Sequence, residues 1–564
     1  MHDLSQTTLE SLEVGAVPIL NTFLRRLQLP ALFARHLPPP PLRPGRTAAV
    51  PPATVLLVLL RNILLARQPL YAIPHWLQGF VPELFDLATD QLPLFNDDRI
   101  GRHLDLLFTG PQAALVTDIT LQAIRAFDID LSQFHQDSTT VTFAGNYAGS
   151  APGGAAPHIT FGYNKDHRPD LKQLLWSLVI SADGAVPIHF HLYPGNTTDD
   201  QLHQQTWSTL CQLVGSPNFC YVADCKLASS DNMQFIADHQ GTFLSVLPRT
   251  RAEIGAFDDY RNGHPIPWEE VRREPNPRSK SGADSVYHGW ESPQRSREGF
   301  RLLWYRSSQK LEQDQQQRFE RLAAARMQLE QLGQRSGRHG TAAALRAAAR
   351  KILEHLQVES FLRVEVEARA REEHRQQGRG RPGPNTRYER VVVPYCVVNM
   401  VEDGAAIQRA AGWDGLFPLI TNSPSFTLAD ALAKYKYQPF LEKRHEQLKS
   451  VLEVAPVFLK KPERVASLLL LYFIALLVHA LIERELRQRM HGEGVKELPL
   501  YPEGRPASRP TAELALAAFL GWRRHRLLDA AGTLLKTFHD PLPPVASTVL
   551  RLLGVDPAPY QTLS

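Results

Sequence analysis

Two aspartates mark the ends of strand-like segments in the middle of the chain, and the order of these segments limits the possible folds. Five short runs are rich in apolar and β-branched residues, which is typical of strands: 133–142, 174–181, 186–193, 219–223 and 242–247. Asp137 lies within the first run, and Asp224 directly follows the fourth. A turn separates the second and third runs, whereas helices are expected on either side of the fourth. The predicted order is three strands, helix, strand, helix, strand.

A third carboxylate, Glu442, lies in a segment with helical spacing. Tyr435, Gln438, Glu442 and Lys449 are separated by three, four and seven residues, steps that place side chains on one face of a helix. Pro439 is expected to restart the helix, which would leave Tyr435 on the preceding turn. Two strand-end aspartates and a helix glutamate supply the oxygen ligands that hard divalent cations prefer. These carboxylates therefore predict a metal site suited to in-line displacement at phosphorus.

The spacing around Glu442 resembles the signature of DDE transposases of bacterial insertion sequences, a cut-and-paste family with a ribonuclease-H-like core. That signature reads Tyr, Arg, Glu and Lys; three positions match here, and Gln438 replaces the arginine. Further segments resemble one branch of the family, so that the resemblance extends from about residue 12 to 490: 69–71, 97–102, 163–173, 194–197 and 413–417. The resemblance implies an α/β fold with a ribonuclease-H-like mixed sheet, an inserted, largely helical subdomain, and helical N- and C-terminal regions.

The same resemblance implies an enzyme that cleaves DNA and transfers strands. Asp137, Asp224 and Glu442 would be its catalytic residues and metal ligands, with Mg²⁺ as cofactor and Mn²⁺ able to substitute. Its partners would be double-stranded DNA, both terminal inverted repeats and target, and a second copy of the chain in a synaptic homodimer. A cytoplasmic, nucleoid-associated location in a bacterium is also implied. The alternative is a catalytically inactive, transposase-derived DNA-binding protein, which the replacement by Gln438 would favour.

Seven residues are candidates for contact with DNA: Tyr435, Gln438, Lys449, Lys165, Arg168, Arg379 and Arg381. The three from the signature follow from the resemblance, although a glutamine lacks the charge and the bidentate fork of arginine. Lys165 and Arg168 precede the second predicted strand and, like Lys172, lie near the expected catalytic strands. They are suited to contacts with backbone phosphates. Arg379 and Arg381 belong to a Gly-Arg-Gly-Arg-Pro segment, which would either enter a narrow minor groove of DNA or serve as a flexible basic linker.

The chain of 564 residues is long enough for several domains. Together with the segment patterns, the resemblance implies a helical DNA-end-binding region, a first core part, an insertion, a second core part with the Glu442 helix, and a helical C-terminal region: 1–128, 129–250, 251–390, 391–490 and 491–564. Within the insertion, 311–332 and 341–356 are expected to form a helical hairpin around a turn at 333–340. The segment after Trp522 is expected to be helical.

Bulk properties set few limits on the partners. With 62 Lys and Arg against 58 Asp and Glu, the net charge of +4 permits binding to nucleic acid without requiring it. The four cysteines form no zinc motif and suit a reducing compartment, and the N-terminus has no secretory signal. His189 and His191 share a strand face, where packed histidines are favoured over a metal site. Segment 465–482 lacks charged Asp, Glu, Lys and Arg; we expect a buried helix there rather than a membrane span.

Overall fold

The structure is a computed structural model. The chain folds into two compact units. The structure describes residues 7–39, 50–163, 168–198, 202–276, 282–335, 341–455 and 457–561. The first unit comprises Met1–Pro248, Thr421–Ser425 and Asp430–Ser564, and the second comprises Arg249–Ile420 and Phe426–Ala429. The second unit begins where the insertion was expected but extends to 420 rather than 390. The expected N-terminal and C-terminal regions belong to the first unit, as does the first core part up to Pro248. Of the expected second core part, residues 391–420 belong to the second unit and most of 421–490 to the first.

The secondary-structure elements are numbered in chain order. The strands are β1 (Thr8–Glu13), β2 (Gln133–Phe143), β3 (Lys172–Ser181), β4 (Pro187–Pro194), β5 (Cys220–Ala223), β6 (Thr242–Val246), β7 (Glu269–Glu274), β8 (Ser285–Glu291), β9 (Arg301–Ser307), β10 (Leu362–Gln376), β11 (Tyr388–Glu402), β12 (Leu416–Thr421), β13 (Arg523–Leu528) and β14 (Leu534–His539). The helices are α1 (Val17–Arg26), α2 (Leu29–His36), α3 (Pro52–Leu65), α4 (Ile73–Gln78), α5 (Asp97–Thr109), α6 (Gln112–Phe127), α7 (His203–Val214), α8 (Ser230–Asp238), α9 (Ala252–Gly263), α10 (Ser308–Arg335), α11 (Ala342–Leu356), α12 (Gly404–Ala411), α13 (Leu428–Tyr435), α14 (Gln438–Glu446), α15 (Pro462–Gly492), α16 (Ala512–Ala517) and α17 (Pro544–Leu553).

The core of the first unit is a mixed sheet with the strand order β4-β3-β2-β5-β6. The pairs β2–β3 and β3–β4 are antiparallel, whereas β5 and β6 run parallel to β2. This is the ribonuclease-H-like arrangement, and the predicted strands and their order are confirmed. The sequence of β3 is nearly continuous in apolar residues because its side chains are buried on both faces of the sheet.

Helix α15 is the long apolar helix of the first unit. By length and composition alone it could cross a membrane, yet 94% of its most apolar stretch is buried inside the protein. It packs against α1, α3, α5, α16, α17 and β4. Its first turn is fixed to α5 by Arg464, which donates to both carboxylate oxygens of Asp105 at 2.8 and 2.7 Å. The expectation of a buried helix at 465–482 is confirmed.

The two ends of the chain meet in a small sheet that the sequence did not predict. Strand β13 pairs antiparallel with β1 on one side and with β14 on the other. Thr8 lies opposite Leu528, so the pairing joins residues that are very distant along the chain. The expectations of an entirely helical N-terminal region and of a helix after Trp522 are therefore wrong, because such distant partners leave no local periodicity.

The second unit contains the expected helical hairpin and an unexpected ribbon. Helices α10 and α11 share a core with Leu322, Leu329 and Leu353, whereas Phe319 on α10 is exposed. Residues 336–340 of the predicted turn lie outside the described residues. Strands β10 and β11 form a long antiparallel ribbon, with Leu362 opposite Glu402 at its base. The remaining strands have the order β12-β9-β8-β7.

Candidate active site

The sheet places Asp137 and Asp224 side by side. In the parallel pair β2–β5, Gln136 lies opposite Ala223, and each aspartate is the next residue of its chain. Both aspartates are half-buried. Asp224 is held locally, because its Oδ1 accepts a hydrogen bond from the Lys226 amide at 2.9 Å and its carbonyl accepts one from Ser245 Oγ at 2.7 Å. The fold and this pair define a ribonuclease-H-like domain with carboxylates on adjacent strands.

Helix α14 lies along the face of β2 that carries His135 and Asp137. The Gln438 amide donates to the carbonyl of Gln136 at 3.2 Å, and its Oε1 is 2.7 Å from His135 Nδ1. Two turns further, His445 Nε2 is 3.8 Å from Asp137 Oδ2. Glu442 lies between these two contacts in the helix, and its side chain is exposed. The structure therefore brings the helix that carries Glu442 onto the strand that carries Asp137.

The pKa of Tyr435 is affected by the charges of two of the three candidate carboxylates. Burial, together with the negative charges of Glu442 and Asp224, raises the pKa of its phenol to about 12. Such an effect requires both carboxylates to lie near the tyrosine ring, since the interaction between charges falls with distance. The phenol stays protonated at neutral pH, and its O–H is therefore a neutral donor beside this group of acids.

The spacing of the four signature residues suggested one face of a helix. In the structure they do not lie in one continuous helix. Tyr435 ends α13, and α14 starts at Gln438 with Pro439 in its first turn, so the predicted restart is confirmed. Lys449 lies in a π-helical turn, Gln447–Val451, that follows α14. Proline removes a backbone donor and a π turn changes the angle between successive residues. The four residues are therefore distributed over three successive helical segments, with Gln438 and Glu442 one turn apart on α14.

The donor set suits a hard cation, but the three carboxylates are not gathered as metal ligands. Within the described ranges, no three His, Cys, Asp or Glu side chains are placed to hold a metal ion together. His189 and His191 on β4 likewise belong to no such group among the described residues. Asp137 and Asp224 supply carboxylate oxygens from adjacent strands, which fits Mg²⁺ or Mn²⁺ in chemistry and in backbone placement. Glu442 contributes the third carboxylate from the neighbouring helix.

The candidate DNA contacts fall into different environments. Gln438 is only 8% exposed and uses both ends of its amide inside the protein, which argues for a packing role rather than the expected phosphate contact. Arg168 is exposed and pairs with Asp170 at 2.7 Å. Arg379 and Arg381 are exposed in the loop between β10 and β11. Lys165 lies outside the described residues.

Sequence reasoning missed His135, Arg444 and His445, which connect α14 to the sheet. His135 and Asp137 are two apart on a strand, a spacing that could have indicated a shared face. Arg444 donates to the carbonyls of Gly184 and Ala185 at 3.1 and 3.0 Å, an interaction that no local pattern indicates. These three side chains position the helix of Glu442 against β2.

His135 should make the stability of the protein depend on pH. Its pKa is lowered to about 4, mainly by burial and also by the charge of Lys434, while the hydrogen bond with Gln438 opposes these effects. Its ordinary pKa is about 6.5, so the unfolded chain takes up this proton first as the pH falls. We expect His135 to cost about 3 kcal/mol of unfolding free energy between roughly pH 6.5 and pH 4.

Denaturant unfolding of the wild type and of His135→Asn across this pH range would measure the effect. Asparagine keeps a buried side-chain donor but does not titrate. The stability of the variant should therefore fall less steeply with decreasing pH. Parallel pH profiles for the two proteins would show that His135 is protonated equally in the folded and unfolded states.

Comparisons with known proteins give a partial family match and weak structural likeness. Residues 9–121 match a family described as a domain of unknown function, DUF4277. No curated protein matches the sequence. The protein is similar to the piggyBac transposase in a synaptic complex with hairpin DNA, with 9% identity, 83% of this chain and 73% of that chain covered, and a TM-score of 0.36. It is also similar to the Mos1 transposase in a pre-cleavage transpososome, with 9% identity and a TM-score of 0.14. That match covers 36% of this chain and 60% of the Mos1 chain.

A further Mos1 structure, a paired-end complex with Mn, has 11% identity, coverage of 40% of this chain and 66% of that chain, and a TM-score of 0.14. At these scores the structural comparisons carry no argument about function. The fold assignment rests on the strand order of the first unit, and any function must be argued from its carboxylates and cationic side chains.

Proposed function

We propose that the protein is a DDE transposase that cleaves DNA at the ends of an insertion element and transfers the freed strand to a target. The observation that carries this proposal is the placement of Asp137 and Asp224 on adjacent parallel strands, with the Glu442 helix packed on the same strand as Asp137. A hard divalent cation, Mg²⁺ or Mn²⁺, bound by these three carboxylates would activate the attacking oxygen and stabilise the leaving one.

The chain itself would orient the reacting groups. Hydrogen bonds from Lys226 and Ser245 hold Asp224 and its backbone in place, which limits the freedom of its carboxylate. The protonated Tyr435 supplies an O–H beside Glu442 and Asp224 that can donate to a DNA phosphate. Positioning of this kind accounts for much of the catalysis in phosphoryl transfer, where the protein forms no covalent bond.

Cationic side chains would hold the DNA. Lys449 follows α14 by one turn, and Arg168 lies exposed before β3, so both are suited to backbone phosphates near the carboxylates. We assign Lys165 the same role by its position in sequence. Arg379 and Arg381 project from the loop of a long ribbon, where glycine and proline neighbours suit insertion into a minor groove.

The reaction needs both element ends at once, and we therefore propose a homodimer in the synaptic complex, bound to terminal inverted repeats and then to target DNA. We place this reaction in the bacterial cytoplasm at the nucleoid. Gln438 favours a second candidate, a transposase-derived protein that binds DNA without cleaving it. The position of the signature arginine is occupied by a buried neutral side chain, which weakens the grip on the element end.

Excision in cells separates these two functions. The protein would be supplied in trans to a marker flanked by the terminal sequences of its own gene, beside Glu442→Gln and the exposed control Glu497→Gln. We expect excision with the wild type and the control only. Excision with all three would remove Glu442 from the catalytic residues, and excision with none would favour the DNA-binding candidate.

A further inference from the structure

A cavity of about 590 Å³ lies in the first unit on the side of α14 opposite to Asp137. It is bounded by α14, α15 and the turn 182–185 between β3 and β4. Helical spacing explains the separation, because Phe440, Lys443 and Arg444 lie about half a turn away from Gln438 and Glu442 around the helix axis. Residues of one short helix thus serve two different surfaces.

The buried wall of this cavity holds two guanidinium groups around one carboxylate. Glu483 Oε2 is 3.0 Å from Arg444 and 3.4 Å from Arg487. Burial lowers the pKa of Arg487, Glu483 acts in the opposite direction, and the positive charges of Arg444 and Arg509 lower the pKa further. Two guanidinium groups of the wall thus share the single negative charge of Glu483.

The mouth of the cavity adds two more cations around an aromatic ring. Lys443 Nζ lies 5.9 Å and the Arg509 guanidinium 5.1 Å from the centre of the Phe440 ring. Neither cation forms an ion pair within the described part of the chain. The other charged residues of the lining are one cation and three acids: Arg484 pairs with Asp183, Glu513 accepts from Gln447, and Glu446 is exposed at the rim. The whole lining thus carries five cations and four acids.

We propose that this cavity binds a phosphate, and that its source is a backbone phosphodiester of the DNA on which the protein acts. Guanidinium groups bind phosphate oxygens through paired N–H donors, and a bound phosphate would supply the negative charge that the wall lacks. This proposal rests on the proposed function and adds a second phosphate contact to it.

A path for the DNA follows from the dimensions of the helix. Lys443 is the residue after Glu442, and a helix with its side chains is about 10–12 Å across. A DNA strand rises about 3.4 Å per nucleotide, so a few nucleotides are enough to pass from one side of α14 to the other. The cavity would thus hold DNA that flanks the cleaved bond rather than the bond itself.

The test compares Lys443→Ala/Arg509→Ala with the matched control Lys496→Ala/Arg505→Ala in the full chain. All four side chains are exposed, and the control pair lies outside the cavity while removing the same charge. Fluorescence anisotropy would measure binding to a 40-base-pair duplex of arbitrary sequence over a range of NaCl concentrations. We expect the cavity variant to bind about tenfold more weakly, with a salt slope reduced by about one to two, and the control to change by about twofold or less.

Thermal unfolding in the presence of inorganic phosphate forms the second arm. Phosphate should raise the melting temperature of the wild type and the control, but not that of the cavity variant. If this protection is lost while DNA binding is unchanged, the site takes free phosphate and the assignment to DNA is overturned. If neither measurement distinguishes the two variants, the cavity is no phosphate site. Failure of the wild type to bind DNA would instead contradict the proposed function, and the phosphate arm would still decide the cavity.

Discussion

Asp224→Asn is expected to reduce the rate of DNA cleavage strongly while leaving DNA binding within about twofold of the wild type. The amide has the shape of the carboxylate and keeps an acceptor for the Lys226 amide, so the turn after β5 should persist. It removes the charge that, beside Asp137, suits a divalent cation. A cation in such a site stabilises the transition state by several kcal/mol, and each 1.36 kcal/mol is tenfold in rate, so we expect a loss on the order of 10³-fold.

Nicking of a labelled duplex that carries the terminal sequence of the gene, with Mg²⁺ or Mn²⁺, would measure this loss. Binding of the same duplex in EDTA gives the second readout. Asp238→Asn is the control, because Asp238 is exposed at the end of α8, where its carboxylate accepts a hydrogen bond from the neighbouring Gln234. Cleavage by Asp224→Asn at the wild-type rate would show that the metal-site assignment is wrong.

Glu442 gives an independent measure of the same site. The aspartates are adjacent through strand pairing, whereas Glu442 is exposed on a helix and does not form a ligand cluster with them. If Glu442→Gln cleaves normally while Asp224→Asn does not, the aspartate pair binds the cation with a different third ligand. If both lose cleavage, the helix glutamate belongs to the catalytic set.

The core strands could be predicted from sequence because their signal is local. Strands β3 to β6 are runs rich in apolar residues, and β2 is rich in β-branched ones; their order determines that Asp137 and Asp224 are neighbours. The sheet β1-β13-β14 could not be predicted in this way, because it pairs residues from the two ends of the chain. Strand β10 was missed because its exposed, alternating charges resemble a loop or a polar helix.

The signature residues show where spacing alone fails. Four positions three, four and seven apart suggested one helical face, but a proline restart and a π turn divide that face among three segments. Gln438 was expected to meet DNA, yet it points inward to His135 and Gln136. Spacing identifies which residues belong together; the side of the helix that faces the sheet depends on packing with distant residues such as Arg444 and Glu483.

Arg444→Met is expected to lower the free energy of unfolding by about 3–5 kcal/mol, the range for removing one partner of a buried ion pair. Arg444 and Glu483 are both nearly fully buried, and their charged groups are 3.0 Å apart. The change also leaves the carbonyls of Gly184 and Ala185 without this donor. Urea unfolding would measure the loss, with Arg444→Lys expected to lose less because it keeps the charge but not the fork.

The neighbouring Lys443→Met provides the matched control for this stability change. Lys443 is exposed and forms no ion pair among the described residues, so its replacement should change the free energy of unfolding by no more than about 0.5 kcal/mol. Equal stability of the two methionine variants would mean that the buried pair contributes little beyond its own desolvation cost. A large difference would instead show that the contacts behind α14 hold the Glu442 helix on the sheet. Arg444→Met should then also reduce cleavage, although its side chain lies on the far side of the helix from Asp137.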